Sequence, residues 1–266
     1  MTHVRTHALV AALVLACACS ADPIAPGAAP APTAANAGEG PSASRPEIGT
    51  ARRARDGSLR FADEAVHDHP EAAVELLRRF DAETAAEVRV ALVEALPRTG
   101  GEWVDAVLAR FPREPEPSVR KAMVSIAARA VEGAAALVEL GLGDEDASVR
   151  AEAAMAAASV RVGGAKLAGA LAALLADRDA RVRASAARSL ALAGYTARLD
   201  RFAAIAPLLD DSAATVRLEA VRALGRIDGA RAATLPALRA RQSDGDVKVA
   251  AAARRIVEAA AGHEAP

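Results

Sequence analysis

Side chains that could do nucleophilic, acid–base or metal chemistry are sparse in this chain of 266 residues. Its cysteines are Cys17 and Cys19, so the chain beyond them offers no thiol nucleophile. His67 and His69 could give two imidazoles to a metal ion, but a catalytic zinc site takes three protein ligands. The other histidines are His3 and His7, near the N-terminus, and His263, near the C-terminus. We therefore expect the His67–His69 segment to be a loop that leads into a helix, not a metal site.

Motifs of nucleotide and hydrolase sites are absent from the sequence. No serine lies in a Gly-x-Ser-x-Gly context, no GxGxxG follows a strand pattern, and no GxxxxGK[ST] occurs. Adjacent carboxylates, such as Glu145 with Asp146 and Asp210 with Asp211, fall at turns between repeated segments. The sequence therefore predicts a protein that is not an enzyme and that binds no cofactor and no metal.

The composition favours helices. Alanine supplies 74 residues, whereas aromatic residues make up 2% of the chain. Alanine is the best helix former, and strands favour aromatic and β-branched residues. A β-sandwich, a β-barrel or an aromatic-lined cofactor pocket is therefore not expected. The net charge of −1 gives no general attraction to phosphate, so nucleic acid is not an expected partner.

The first sixteen residues have the pattern of an export signal. Arg5 lies in a short polar start, and an uninterrupted apolar run follows from Ala8 to Ala16. A run of this length is too short to span a bilayer, which takes roughly 20 residues, but it suits the core of a signal peptide. We therefore predict that residues 1–16 are a signal peptide and that the protein is exported.

The end of this run carries a candidate lipid-attachment site. Val14, Leu15, Ala16 and Cys17 together resemble the bacterial lipobox, in which the signal is cut before a cysteine that carries the lipid. This resemblance implies that Cys17 is lipidated and anchors the protein to a membrane. By resemblance to enterobacterial sorting, Ala18 as the next residue favours the outer membrane. Two alternatives remain: lipidation at Cys19, or ordinary cleavage after Ala18 that releases a soluble secreted or periplasmic protein.

Residues 17–50 have the composition of a flexible tether. They are rich in Pro, Ala and Gly and have neither helical nor strand periodicity, so they cannot bury enough surface to offset the entropy lost on ordering. Residues 51–69 do not match the repeat described next, so we expect an irregular segment or an N-terminal cap there. Residues 262–266 are expected to form a disordered tail.

A repeat of near-constant length organises the rest of the chain. Its anchor is a Val-Arg pair, preceded by an acid five residues before the valine and followed by small or apolar residues four and eight residues after it. The latter spacing marks one face of a helix. Each such helix is followed by a break and a second apolar helix. The valines of the series are Val88, Val119, Val149, Val182, Val216 and Val249.

The repeat resembles the HEAT repeat, most closely the short HEAT-like repeats of phycobilisome lyases. The resemblance is carried by Asp-x-x-x-x-Val-Arg-x-x-Ala-x-x-x-Leu, as in residues 177–190 and 211–224. It implies an all-α solenoid, a superhelix of about five HEAT-like helix pairs over residues 70–261 with half-repeats as caps. It also implies a structural ladder of hydrogen bonds running between adjacent repeats. We expected these pairs: Glu83 with Arg89, Glu114 with Arg120, Asp144 with Arg150, Asp177 with Arg183, and Asp211 with Arg217.

The resemblance also implies a function in binding. The sequence predicts a lipid-anchored, non-enzymatic scaffold of the cell envelope that is monomeric and contacts an unidentified envelope protein. A role like that of the lyase-type relatives, which act on a bilin–cysteine linkage, and a purely structural spacer are the alternatives. Trp103 opens a second helix and could contact the partner or fill the core beside Phe80 and Phe111.

Charge divides the predicted solenoid into two halves. Residues 62–148 contain 18 acids and 9 bases, whereas residues 149–262 contain 18 bases and 11 acids. A stack in which each repeat touches its neighbours turns this difference along the sequence into a difference in space. The difference could be drift in surface charge, or the basic half could face acidic groups on a partner, a glycan or a lipid. The candidate contacts in that half are Arg231, Arg239 and Arg241.

Overall fold

A computed structural model gives the fold of the repeated region. It describes residues 49–53, 59–61, 70–100, 102–129, 134–159, 164–192 and 199–263. The predicted signal peptide, Cys17, Cys19, most of the predicted tether and the His67–His69 segment lie outside these residues.

The described residues are almost entirely helical. The helices are α1 (Pro70–Ala82), α2 (Ala86–Ala95), α3 (Val104–Arg110), α4 (Pro117–Ser125), α5 (Ala134–Leu142), α6 (Ala147–Ala157), α7 (Gly164–Leu174), α8 (Ala180–Leu192), α9 (Arg201–Ile205), α10 (Ala214–Thr234), α11 (Pro236–Ala240) and α12 (Val247–His263). Several end in a 3-10 turn, and these turns span Leu96–Thr99, Phe111–Arg113, Ile126–Arg129, Ala206–Asp210 and Arg241–Ser243.

The helices form two parallel rows. The ladder row contains the helices that carry the Val-Arg position: α2, α4, α6, α8, α10 and α12. Each of these packs directly against the next one in the row. The second row consists of α1, α3, α5, α7, α9 and α11, and it packs along one side of the ladder row. Extended backbone at Asp228 (φ −160°) kinks α10, so its last residues lie with the second row. The architecture is an all-α solenoid, as the sequence predicts.

The core lies between the two rows. Apart from the half-buried Val88, the valines of the repeat are fully buried in the described structure, as are the small residues four positions later, such as Ala186 and Ala220. Small side chains at these positions let neighbouring helices approach closely. Gly141 of α5 shows how closely: a Cβ there would lie 2.8 Å from the Cβ of Ala153 on α6.

Short strands lie at the N-terminal end of the described stack, and at the C-terminal end the boundary differs from the expected one. Strands β1 (Arg52–Arg53) and β2 (Leu59–Arg60) form an antiparallel pair, with Arg52 opposite Arg60. Strand β2 contacts α2, and the adjacent Phe61 is buried in the core. At the other end α12 continues to His263. The prediction that the tail begins at residue 262 is therefore wrong by two residues, because the alanine-rich run before it sustains the helix.

Candidate functional site

The ladder arginines join neighbouring repeats with paired hydrogen bonds. Arg120 donates from Nε to Asp144 Oδ2 at 2.8 Å and from Nη2 to Oδ1 at 2.9 Å. Arg183 makes the same pair of bonds to Asp211, at 2.7 and 2.8 Å. A planar guanidinium fits a carboxylate in this two-bond geometry. Two further ladder arginines make the same pair of bonds, Arg150 to Asp177 and Arg217 to Asp244.

The expected pairing of each arginine with the acid of its own repeat is wrong. The ionic partner is the acid of the following repeat, and in its own repeat the arginine binds backbone carbonyls. Arg183 Nη1, for example, donates to the carbonyl oxygen of Asp177 at 2.8 Å. The Asp177 carboxylate accepts a hydrogen bond from the backbone N–H of Asp179, which holds the carboxylate in the turn before α8. In this position it also accepts a hydrogen bond from Arg150 of the preceding repeat. The same correction applies to the other expected pairs.

The two ends of the ladder differ from its middle. Arg89 donates to Glu114 Oε1 from Nη2 at 2.5 Å, and its Nε is buried without a hydrogen-bond partner among the described atoms. Glu83 accepts the backbone N–H groups of Thr84 and Ala85. At the other end Asp244 accepts Arg217, while Ala250 stands where the next arginine would be.

The ladder is largely buried. The side chains of Arg120 and Asp144 are 8% and 5% exposed. The hydrogen bond from Arg217 lowers the pKa of Asp244 to about 2, and the bond from Arg183 lowers the pKa of Asp211. These charges are therefore matched by one another in the seam between repeats.

Trp103 is a core residue, so its assignment as a possible partner contact is wrong. Its side chain lies at the N-terminus of α3 and is 4% exposed. It belongs to the same buried cluster as Phe80 and Phe111. Aromatic residues are few in this chain, and here they fill the larger spaces of the N-terminal repeats.

Each of the three arginines expected to contact a partner makes a contact within the solenoid, although Arg231 and Arg239 are exposed. Arg231 lies over the ring of Phe202, with its Cζ 4.1 Å from the ring centroid. Arg239 Nε donates to a backbone carbonyl of the same repeat at 2.7 Å. Arg241 lies 3.3 Å from the carboxylate of Asp244. Reversing these charges would disturb packing and the ladder, so these three residues do not define a free basic surface.

A groove of about 490 Å³ crosses the ladder row at α8, α10 and α12. Its rim carries Arg188, Arg222, Arg226 and Arg255, and Glu219 lies among them. Arg222 pairs with Glu219 at 2.8 Å. Within the described part of the chain, neither Arg188 nor Arg226 makes an ion pair. The groove is therefore a concave surface with an excess of positive charge.

Sequence reasoning missed this groove, although a signal for it exists. Arg188, Arg222 and Arg255 each lie six residues after a valine of the repeat. The corresponding residues of earlier repeats are Glu94, Ser125 and Met155. Alignment of the repeats shows that arginine occupies this position in the last three repeats. Only the structure shows that the three arginines line one groove.

The described ranges contain neither a metal-binding cluster nor a helix able to span a membrane. No group of three or more His, Cys, Asp and Glu side chains there is placed to hold a metal ion. No helix in that part of the chain has the length and apolar character needed to cross a bilayer.

Comparison with known proteins supports the HEAT-like fold. Residues 167–257 match the family model for HEAT repeats. The crystal structure of Cex1p superposes with a TM-score of 0.50 at 16% identity, over 72% of this chain and 43% of that one. A designed armadillo repeat protein in complex with the peptide (KR)4 gives a TM-score of 0.48 at 19% identity, over 70% of this chain and 98% of that one. No curated protein sequence matches the chain. The chain therefore folds as an all-α repeat solenoid, and its residues 167–257 are similar to HEAT repeats.

Proposed function

We propose that this chain is a non-enzymatic protein-interaction scaffold of the bacterial cell envelope, tethered to a membrane by a lipid on Cys17. The observation that carries the binding role is the open groove across α8, α10 and α12. The ladder arginines are paired with carboxylates inside the fold, whereas the groove presents the exposed guanidinium groups of Arg188 and Arg226 to solvent. Such an arrangement suits recognition of another protein.

The sequence before the solenoid supports the tethered location. The apolar run that ends at Cys17 has the length of a signal-peptide core. The residues that follow, up to the first described residues, are rich in Pro and Gly. A linker of about 30 residues in an extended conformation reaches roughly 90 Å. This length would let the solenoid meet partners well away from the membrane surface.

The anchor is tested by mass spectrometry of the mature N-terminus. The expected species begins at Cys17 and carries acyl chains. Cys17→Ser should remain unprocessed or leave the membrane fraction, while Cys19→Ser should behave like the unsubstituted protein. An unmodified chain that begins at Cys19 or later would contradict the anchor and leave the binding role untouched.

The binding role is tested by crosslinking in envelope extracts with the full chain as bait. A photo-crosslinker at position 192, on the exposed C-terminal end of α8, should capture a defined protein. The same crosslinker at Val74, which is exposed on α1 far along the stack, is the matched control. Failure of every position along the ladder row to capture a protein would favour the alternative role of a structural spacer.

A further inference from the structure

We infer that the groove across α8, α10 and α12 binds an extended, acidic segment of the partner protein. This inference rests on the proposed function and specifies the chemistry of the partner. The groove is defined by Arg188, Arg222, Arg226 and Arg255 on its rim, with Ala223, Gly225 and Ile256 among the residues beneath them.

The charge of the groove selects a carboxylate-rich partner. Four guanidinium groups face one carboxylate, that of Glu219, and Arg222 already matches it. The remaining cations lie in a cleft of about 490 Å³. A cleft lined by one sign of charge concentrates the field and attracts the opposite charge. Because arginine binds carboxylates through two parallel hydrogen bonds, each free guanidinium offers a directed site for one acidic side chain.

The spacing of the arginines suits an extended chain. Arg188, Arg222 and Arg255 occupy the same position on three successive helices of the ladder row. Packed helices lie about 8–10 Å apart, so the three positions span roughly 16–20 Å. An extended chain advances about 3.3 Å per residue, so five or six residues bridge this span. Alternate side chains of such a segment point to one face and would present carboxylates at intervals of about 7 Å.

The base of the groove and its flank add apolar contacts. Gly225 lets Ile256 pack closely against α10 at the base of the groove, because a Cβ there would lie 2.5 Å from the Cδ1 of Ile256. Beyond the groove, along the same face, Leu192 of α8 and Met155 of α6 are 44% and 47% exposed. Met155 and Arg188 hold equivalent positions in successive repeats. The expected segment therefore carries two or more acidic residues next to a large apolar residue.

The test measures binding of defined peptides to the full chain by fluorescence anisotropy. The probe is a twelve-residue peptide with Glu at alternate positions and one Leu beside them. Matched probes replace Glu with Gln or with Lys. The acidic peptide should bind, the others should not, and its affinity should fall about tenfold in the double variant Arg188→Gln/Arg226→Gln. Raising the salt should weaken binding, because the contacts lie at an open surface.

The control removes the same charge away from the groove. Arg113 and Arg178 are exposed, and they lie in the turn after α3 and before the start of α8. Arg113→Gln/Arg178→Gln should leave peptide affinity unchanged, and both double variants should melt with the unsubstituted protein. Equal loss of affinity in the two variants would overturn the inference, because it would indicate general attraction.

Three further outcomes would also overturn it. They are equal binding of the Gln peptide, binding of phosphatidylglycerol vesicles in place of the acidic peptide, and self-association that the groove variant abolishes. Capture of a protein by the full chain that ignores both salt and the groove variant would leave the proposed function standing and refute this inference. Absence of any captured protein would count against the proposed function itself.

Discussion

Each ladder arginine binds two repeats at once, which ties the stability of one helix pair to that of the next. Arg183 holds the carbonyl oxygen of Asp177 with Nη1 and the carboxylate of Asp211 with Nε and Nη2. The pair is largely buried, with side chains that are 15% and 8% exposed. A buried charge that loses its partner is costly, because neither water nor another group replaces the lost bonds.

Arg183→Ala should therefore destabilise the solenoid strongly. Asp211 would keep a buried charge and lose both bonds from the guanidinium, so the free energy of unfolding should fall by about 3 kcal/mol. Urea denaturation measures this change. Arg181→Ala is the control, because Arg181 is 71% exposed and pairs only with its neighbour Asp179 at 2.8 Å. If the two variants have the same stability, the ladder does not hold the repeats together.

At acidic pH, the free energy of unfolding should depend on the protonation of the ladder carboxylates. The bonds from Arg217 hold the pKa of Asp244 at about 2, below its ordinary value of 3.8. Between these values the unfolded chain binds more protons than the folded chain, so stability rises with pH. The contribution of Asp244 is complete above about pH 4 and is lost as the pH falls toward 2.

Denaturation from pH 2 to pH 6 tests this linkage. Asp244→Asn should be less stable than the unsubstituted protein at pH 6, and the two should converge near pH 2. A constant difference between the two proteins over this range would contradict the assignment of the lowered pKa to this ion pair.

The repeats differ in the residue that caps the first helix of each pair. Three residues before the valine, Asp146 caps α6 by accepting the N–H of Ser148 at 2.8 Å, and Asp246 accepts the N–H of Val249 at 3.1 Å in α12. The same position before α10 is Ala213, which gives no side-chain cap. The backbone is nevertheless the same: φ and ψ are −86° and 124° at Ala213 and −86° and 127° at Asp146.

Ala213→Asp should therefore stabilise the protein. A carboxylate at this position can accept an N–H of the first turn of α10 without any change in backbone conformation, which is worth about 1 kcal/mol. Thermal unfolding at pH 7 measures the gain. Ala213→Asn should retain most of it, because the amide oxygen also caps. A melting temperature at or below that of the unsubstituted protein would show that the first turn of α10 does not accept a cap.

The whole molecule is held together by contacts between neighbouring repeats. Among the described residues, the dense contacts within the ladder row join α2 to α4, α4 to α6 and so on to α12. Stability in such a stack is close to a sum over repeats and their interfaces. Loss of an interface at one end of the stack should therefore destabilise only the terminal repeat. Loss of an interface in the middle should destabilise the repeats on both sides.

Arg217→Ala and Arg150→Ala compare these two positions. Arg217 binds Asp244 in the turn before α12, at the C-terminal end, whereas Arg150 binds Asp177 near the middle. Hydrogen exchange should show loss of protection confined to α11 and α12 in the first variant and spread over both sides of α6 in the second. A uniform loss in both would indicate that the solenoid unfolds as one unit.

Much of this organisation is encoded locally and was predictable from the sequence. Val182, Ala186 and Leu190 recur at a helical spacing, and alanine dominates the composition, so the helices and their stacking follow from the pattern of burial. The resemblance to HEAT repeats also implied hydrogen bonds between adjacent repeats. A periodic pattern identifies the residues that face the core, because each helix repeats the same environment.

The ion-pair partner of an arginine and the exposure of a side chain depend on the tertiary structure. The resemblance to HEAT repeats led us to pair Arg183 with Asp177, but the stack places Asp211 within 2.7 Å of Arg183, because the guanidinium points across the seam to the next turn. Trp103 could not be assigned to the core or the surface until its neighbours were in place. The column of Arg188, Arg222 and Arg255 becomes one groove only when three helices, distant in sequence, lie side by side.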